Sequence, residues 1–161
     1  MGEDRPGTAR QRRVLPTVAD TEALGRELAT GLRAGDLVIL DGPLGAGKTA
    51  LTRGIAAGLG VKGRVSSPTF IIARQHRAGE RTDGPPVPLV HVDAYRLGGS
   101  LDELDALDLD TDLHHAVVVV EWGGGVVEHL AERHLLVRLI REPDSDVRTA
   151  TWEWVRRPDG D

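Results

Sequence analysis

The chain has 161 residues, of which 40% are apolar and 28% charged, with a formal net charge of −5. These values are typical of one soluble globular domain with a substantial core. The absence of cysteine excludes disulfides, thiolate metal sites and cysteine nucleophiles. The acidic balance argues against a protein that grips nucleic acid by its own charge, and no apolar run approaches the ~20 residues that cross a bilayer. With no apolar signal segment visible at the N-terminus, we expect a cytoplasmic protein.

The N-terminal part predicts a tail, a strand and a helix. Residues 1–13 are polar, rich in Arg, Gly and Pro, and lack periodicity, so we expect a disordered tail there. A short edge strand is predicted over 14–18. Asp20 or Thr21 is expected to cap a helix that runs to about Arg33, with leucines at every fourth position.

The strongest motif spans residues 42–49, Gly-Pro-Leu-Gly-Ala-Gly-Lys-Thr, which matches G-x-x-x-x-G-K-[S/T] throughout. It follows a predicted buried strand over 37–41 and precedes a helix that starts near Lys48. A strand, a glycine-rich turn and a helix in this order predict a phosphate-binding loop, because glycines let the backbone N–H groups lie against phosphate oxygens.

We therefore expect a nucleoside triphosphate with Mg²⁺ at this loop. Lys48 would place its charge beside the β- and γ-phosphates, and the Thr49 hydroxyl would ligate the metal. The chain has no asparagine, so the Asn-Lys-x-Asp element that reads guanine is missing and ATP is favoured over GTP. The residues predicted to contact the nucleotide here are Gly42, Pro43, Leu44, Gly45, Ala46, Gly47, Lys48, Thr49 and Ala50.

Two further predicted strands end in acidic residues. One runs over 87–93 and ends at Asp93, and the other runs over 117–121 and ends at Glu121. Since ligands of parallel α/β sheets bind at the carboxyl ends of the strands, both acids are candidates for holding Mg²⁺ or orienting the attacking water. The sequence leaves open which acid does which. Thr69 lies where switch-type NTPases place a hydroxyl that senses the γ-phosphate, and Ser67 is a second candidate for this role.

The remaining segments complete an α/β pattern. The predicted elements are a strand over 70–75 that pairs with 87–93 as a hairpin, a short acidic helix from Ser100, a helix over 126–133, and two antiparallel closing strands over 134–141 and 148–155. We predict a single domain over 14–156, followed by a tail at 157–161. Its fold is expected to be that of a P-loop NTPase, a mainly parallel sheet flanked by helices with antiparallel additions.

Several motifs in series resemble the bacterial TsaE family in order and spacing, over about residues 14 to 142. The segments that carry the likeness are Leu44-Gly45-Ala46-Gly47-Lys48-Thr49 with Thr52-Arg53-Gly54, Gly60-Val61-Lys62-Gly63, Ser67-Pro68-Thr69-Phe70, His91-Val92-Asp93-Ala94-Tyr95-Arg96 and Val120-Glu121-Trp122. Pro43 stands where many members have Asp, and because that position need not donate to phosphate we expect binding to survive.

The resemblance implies a small P-loop ATPase needed for threonylcarbamoyladenosine synthesis on tRNA. Such proteins bind the TsaB–TsaD complex, and hydrolysis resets that complex between turnovers, so tRNA is contacted only indirectly. The residue roles that the resemblance implies are phosphate and Mg²⁺ binding by Lys48 and Thr49, metal binding and hydrolysis by Asp93 and Glu121, γ-phosphate sensing by Thr69, and a border of the site at Trp122.

Two other functions remain open from the sequence. A small-molecule kinase of P-loop type usually closes an arginine-rich lid over its substrate, whereas residues 102–112 here are acidic. A nucleotide-dependent binding module would bind ATP without hydrolysing it. The roles of Arg53 and Arg96 are also left undecided.

Overall fold

The computed structural model describes residues 10–42, 47–61, 73–81, 84–93, 115–121, 133–145 and 147–156. Within these ranges there are two helices and seven strands. In chain order they are β1 (Gln11–Leu15), α1 (Val18–Ala29), β2 (Leu37–Asp41), α2 (Lys48–Leu59), β3 (Ala73–His76), β4 (Leu89–Asp93), β5 (Val117–Glu121), β6 (Arg133–Arg141) and β7 (Arg148–Arg156).

The strands form one sheet with the order β1-β7-β6-β2-β5-β4-β3. Its centre is parallel, since β2 pairs in parallel with β6 and β5, and β5 pairs in parallel with β4. Antiparallel pairs extend both edges, β6 with β7 and β7 with β1 on one side and β4 with β3 on the other. The predicted P-loop α/β fold, with a parallel centre and antiparallel additions, is confirmed.

Both helices cover the same face of this sheet. Alternate residues of the central strands, such as Val38 and Val119, join Leu24 of α1 and Leu51 and Ile55 of α2 in one buried cluster. β2 and β5 are apolar up to their last residue because a central parallel strand is buried on both faces. Neither described helix combines the length and apolarity needed to cross a membrane.

The first strand begins earlier than the sequence predicts. β1 starts at Gln11, so residues 11–13 belong to the sheet and not to the expected tail. The strand forms because it pairs along its whole length with β7, and Arg13 also makes an ion pair with Glu27 of α1 at 2.8 Å. Its exposed, polar residues are those of an edge strand, which a composition-based assignment cannot distinguish from a tail.

Helix α1 also begins and ends earlier than predicted. Thr17, not Asp20 or Thr21, is its N-cap: the backbone N–H of Asp20 donates to the Thr17 hydroxyl, and the Thr17 N–H donates to the Asp20 carboxylate at 2.9 Å. Because Thr17 begins this capping box, the strand predicted over 14–18 does not reach residue 18, and β1 ends at Leu15. The helix stops at Ala29, four residues before the predicted end at Arg33.

The end of α1 is held by a distant residue. The guanidinium of Arg81 donates to the carbonyl oxygens of Ala29 and Leu32, at 3.0 and 2.6 Å. A cation at this end also complements the helix dipole. Because Arg81 is about fifty positions away in the chain, no local pattern could have indicated this end.

The two helices cross with their backbones in contact. A Cβ atom at Gly54 of α2 would overlap the backbone oxygen of Glu22, and one at Gly25 of α1 would overlap the backbone oxygen of Leu51. Gly58 lies equally close to α1, since its Cβ would meet Ala29 Cβ at 2.6 Å. The lack of side chains at these glycines therefore lets α1 pack directly against α2, the helix that carries Lys48.

Other boundaries shift slightly. The hairpin of β3 and β4 is confirmed, but β4 starts at Leu89 rather than 87, and β3 is described only from Ala73 to His76. Arg133 opens β6, so the predicted helix over 126–133 does not include it, and 126–132 lie outside the described residues. The acidic helix from Ser100 and the tail at 157–161 also lie outside them.

The predicted antiparallel pair of β6 and β7 is confirmed. In addition, β6 pairs in parallel with β2, a pairing that was not predicted from the sequence. Its alternating polarity is typical of a strand near an edge, yet it lies between β2, which leads into the phosphate loop, and β7.

Candidate functional site

Three central strands bring their carboxyl ends to one edge of the sheet. β2 ends at Asp41 and leads into the phosphate loop, while β4 and β5 end at Asp93 and Glu121. Asp93 and Glu121 are register partners, and Leu40 is the register partner of Glu121 on its other side. Adjacent strands lie ~4.8 Å apart, so the predicted acids stand on neighbouring strand ends beside the start of the loop.

The structure describes both ends of the phosphate loop. Gly42 and Gly47 have φ values of 153° and 102°, and the second of these is strained for any residue with a Cβ. Gly47 is the N-cap of α2 and contributes no side-chain cap, and the first turn of the helix has no acidic residue. The N-terminal N–H groups and the positive dipole end of α2 thus face the loop, as anion binding requires.

Lys48 connects the two ends of this loop. Its side chain is 5% exposed, and Nζ donates to the carbonyl oxygen of Gly42 at 2.5 Å. The hydroxyl of Thr52 donates to the Lys48 carbonyl at 2.9 Å and holds the first helical turn. The ammonium group is therefore held where the loop begins, and its charge adds to the positive potential at the N-terminus of α2.

The other predicted residues on α2 lie at the same helix end. Thr49 is half-buried and Ala50 is buried, both in the first turn. The Thr49 hydroxyl and the Glu121 carboxylate carry hard oxygen atoms, the donor type that Mg²⁺ prefers, and Asp93 at the end of β4 is a residue of the same donor type. Within the described ranges no three His, Asp or Glu residues form a ready-made metal cluster, and Mg²⁺ is usually held by few protein ligands with phosphates and waters.

Two elements flank the helix end at Gly47. A Cβ at Gly47 would lie 3.7 Å from Cγ2 of Thr21 and 3.8 Å from Nε of Arg148. Arg148 begins β7, about a hundred residues further along the chain. It is not among the site residues predicted from the sequence. Only the position of β7 in the sheet, beside β1 and β6, brings this cation to the loop.

The second residue that the sequence reading missed is His91. Its Nε2 lies 2.6 Å from Oε2 of Glu121, and the two side chains are 0% and 7% exposed. With Glu121 ionised, Nε2–H is the donor of this bond. The sequence signal that could have identified it is the position of His91 two residues before Asp93 on the same strand.

Arg53 is engaged elsewhere. Its guanidinium pairs with the Glu22 carboxylate at 3.2 Å, across the contact between α1 and α2. This residue therefore supports the helix pair. The predicted site residues that lie outside the described ranges are Pro43, Leu44, Gly45, Ala46, Thr69 and Trp122, and Arg96 lies outside them as well.

Comparison with known proteins agrees with this geometry. The family model described as threonylcarbamoyl adenosine biosynthesis protein TsaE matches residues 15–150. The chain is 56% identical to a tRNA threonylcarbamoyladenosine biosynthesis protein TsaE of Mycobacterium tuberculosis, over 88% of this chain and 86% of the relative. It is 63% identical to the protein of the same name from Streptomyces coelicolor, over 73% and 77%.

A solved structure shows the same fold. The crystal structure of Bacillus subtilis YdiB superposes with a TM-score of 0.68 and 31% sequence identity, covering 89% of this chain and 84% of that one. A family match over most of the chain, relatives above one half identity and a common fold lead to one assignment. The chain belongs to the TsaE family of threonylcarbamoyladenosine biosynthesis proteins.

Proposed function

We propose that this protein binds ATP with Mg²⁺ at residues 42–50 and hydrolyses it as an accessory protein of tRNA threonylcarbamoyladenosine formation. Membership of the TsaE family supports the role in that modification. The observation that carries the ATPase assignment is the Lys48 ammonium fixed between Gly42 and the first turn of α2, beside the strand ends that carry Asp93 and Glu121.

In this proposal each residue has a distinct task. Lys48 and the N–H groups around Gly47 bind the phosphates, and their positive potential offsets the charge that builds up as the terminal phosphoryl group leaves. Thr49, Asp93 and Glu121 would hold Mg²⁺, and the bound metal would neutralise charge on the β- and γ-phosphates. Thr69 would sense the γ-phosphate region and Trp122 would border the site.

Glu121 also orients the attacking water. The water oxygen forms a bond to the γ-phosphorus and the bond between that phosphorus and the bridging oxygen breaks. The proton that the water loses passes to the departing phosphate or to solvent, and the products are ADP and inorganic phosphate. A carboxylate held in a buried position beside the loop accepts a hydrogen bond from the water without costly reorganisation. The sequence motifs include no clear arginine finger, so we expect the isolated protein to hydrolyse ATP slowly.

The partner is proposed to be the complex of the TsaD and TsaB homologues in the cytoplasm, with tRNA contacted indirectly. A chain with a net charge of −5 is better suited to act on a protein complex than to bind tRNA phosphates itself. A pull-down against the TsaD homologue, with ATP and without nucleotide, tests this association. Absence of association under both conditions would leave only a generic ATPase.

The decisive experiment measures ATP turnover with and without the TsaB–TsaD homologues. We expect slow turnover alone, a clear rise in the complex, and loss of nucleotide binding in Lys48→Ala. Equal rates with and without the partners contradict the accessory role. Transfer of phosphate to a metabolite would establish a kinase instead, and ATP binding that persists without turnover, unchanged by Glu121→Ala, would establish a binding module.

A further inference from the structure

We propose that His91 is a positioning residue for Glu121, and that its hydrogen bond presents this carboxylate to the metal and the attacking water. The inference rests on the proposed ATP hydrolysis and assigns a part of it to a residue outside the phosphate loop and the acid pair. His91 touches neither nucleotide nor metal in this scheme and acts only through Glu121.

The geometry shows a bond that crosses between two parallel strands. His91 on β4 is the register partner of Val119 on β5, and Glu121 lies two residues beyond Val119. The His91 side chain therefore reaches diagonally toward the end of the neighbouring strand. At 2.6 Å the contact between Nε2 and Oε2 is short, as expected for a hydrogen bond to an ionised carboxylate.

Burial makes this bond decisive for the orientation of Glu121. Both side chains are almost completely withdrawn from solvent, so water cannot take the place of the imidazole. A glutamate side chain has three rotatable bonds, and in a buried setting its orientation is set by whichever group donates to it. His91 engages Oε2, and among the described residues no hydrogen bond is made to Oε1, which leaves that oxygen for metal or water.

The surroundings of His91 argue that its polarity serves Glu121. The other residues of β4 before Asp93 are Leu89, Val90 and Val92, and β5 is all valine before Glu121. Among the residues that the structure describes, Glu121 makes the only polar contact with the imidazole ring of His91, because Nδ1 has no hydrogen-bond partner. A polar ring with one satisfied atom costs stability in an apolar core, so packing alone would favour a leucine or valine here.

The test compares three substitutions of His91 in the full-length chain with its TsaB–TsaD homologues. His91→Leu keeps much of the volume and removes the donor. His91→Gln keeps an amide N–H about as far from Cα as Nε2, whereas the amide of His91→Asn is too short to reach Oε2. The matched control is His115→Leu, because His115 is exposed at the turn before β5.

We expect His91→Leu to lower kcat about 10- to 100-fold, as is typical when a partner of a metal-binding side chain is removed. The dissociation constant of ATP should change less than about twofold, because Lys48 and the loop amides carry that binding. His91→Gln should recover most of the lost rate and His91→Asn little of it. His115→Leu should match the unsubstituted chain.

Three results would overturn the inference. They are an unchanged kcat in His91→Leu, parallel losses of kcat, ATP affinity and melting temperature, and equal rates in the Gln and Asn variants. Should His91→Leu fail to fold, the difference between the Gln and Asn variants decides alone. An unsubstituted chain that binds ATP but never hydrolyses it removes the proposed function itself and the inference with it, which separates that failure from a failure of His91 alone.

Discussion

The central parallel strands and the antiparallel margin of the sheet differ in how they are stabilised. All five residues of β5 are buried, and β2 is buried up to its last residue, whereas β1 is exposed in four of its five positions. The antiparallel strands β6, β7 and β1 carry polar and aromatic contacts in addition to buried apolar residues: Arg10 pairs with Glu153 at 3.1 Å, and the guanidinium of Arg133 lies 4.3 Å from the ring of Trp154.

This difference matters for function because the acids of the candidate site stand on the buried strands. Glu121 ends a strand in which every residue is buried, and close packing around that strand limits movement of the backbone that carries the carboxylate. Exposed ion pairs such as Arg10 with Glu153 contribute only about 0–1 kcal/mol each. The comparison therefore predicts large effects of substitutions in the central layer and small ones at the margin.

The largest effect is expected at the helix crossing over the central strands. Gly54→Ala should lower the free energy of unfolding by about 3 kcal/mol, because the added Cβ would overlap backbone atoms of α1 that cannot move aside. Urea denaturation measures this. In the matched control Gly31→Ala, the new Cβ would lie 4.0 Å from its nearest neighbour, and stability should be unchanged or slightly higher. Equal losses in the two variants would mean that the backbones do not touch at Gly54.

A smaller effect is expected from shortening a side chain within a central strand. Val119→Ala should cost about 2 kcal/mol, because Val119 is 0% exposed and its methyl groups fill the cluster beneath the helices. Ile140→Ala on β6 removes more atoms but should cost less than about 0.5 kcal/mol, since Ile140 is 59% exposed. Thermal or urea unfolding distinguishes these values, and a larger loss at Ile140 would reverse the comparison.

Next in size is the capping box at the junction between β1 and α1. Thr17→Ala should cost about 1 kcal/mol, because the N–H of Asp20 loses its acceptor at the helix start. Thr30→Ala serves as the control, since the Thr30 hydroxyl only donates to a carbonyl of the last turn, Glu27 O. Urea midpoints of the two variants should differ by most of that amount, and identical midpoints would contradict the cap.

The smallest effect is a pH dependence at the margin. The hydrogen bond from Arg13 lowers the pKa of the Glu27 carboxyl below its ordinary value of 4.5, with a smaller Coulombic contribution in the same direction. A depressed folded pKa stabilises the protein above the unfolded pKa, and this contribution is lost as the pH falls through the folded value. Both groups are well exposed, so we expect at most about 1 kcal/mol.

The measurement is a set of urea unfolding curves between pH 7 and pH 3. The stability difference between the unsubstituted chain and Glu27→Gln should shrink as the pH falls below about 4.5, because protonation of Glu27 removes the same ion pair. Glu22→Gln serves as the comparison variant. It removes the exposed ion pair with Arg53 at the helix crossing instead of the pair with Arg13. A difference that stays constant over this range would show that the Arg13 pair has no effect on stability.

Local signals in the chain predicted the elements whose cause is local. The apolar runs predicted β2 and β5 with the observed ends, because burial on both faces leaves a continuous pattern. The glycine-rich motif predicted the start of α2 near Lys48, and the structure shows that the left-handed Gly60 ends that helix. The two acids at neighbouring strand ends followed from the same reasoning about parallel strands.

Where the cause is distant, local signals were insufficient. The N-cap at Thr17 is a separate, local case: its box with Asp20 spans only four residues, but the strand predicted over 14–18 included Thr17. The end of α1 depends on the Arg81 guanidinium, and β1 forms only against β7. The pairing of β6 with β2 likewise depends on the order of the strands in the sheet, which a local pattern does not indicate.

The amino-acid sequence by itself determined the phosphate-loop motif, the α/β fold and the two strands that end in acids, because each depends on residue types within a few positions of one another. Tertiary structure alone decided that His91 holds Glu121 and that Arg148 stands beside Gly47. These contacts join segments thirty to a hundred residues apart. Such distances are closed by the register and order of the strands, which no spacing within a single segment encodes.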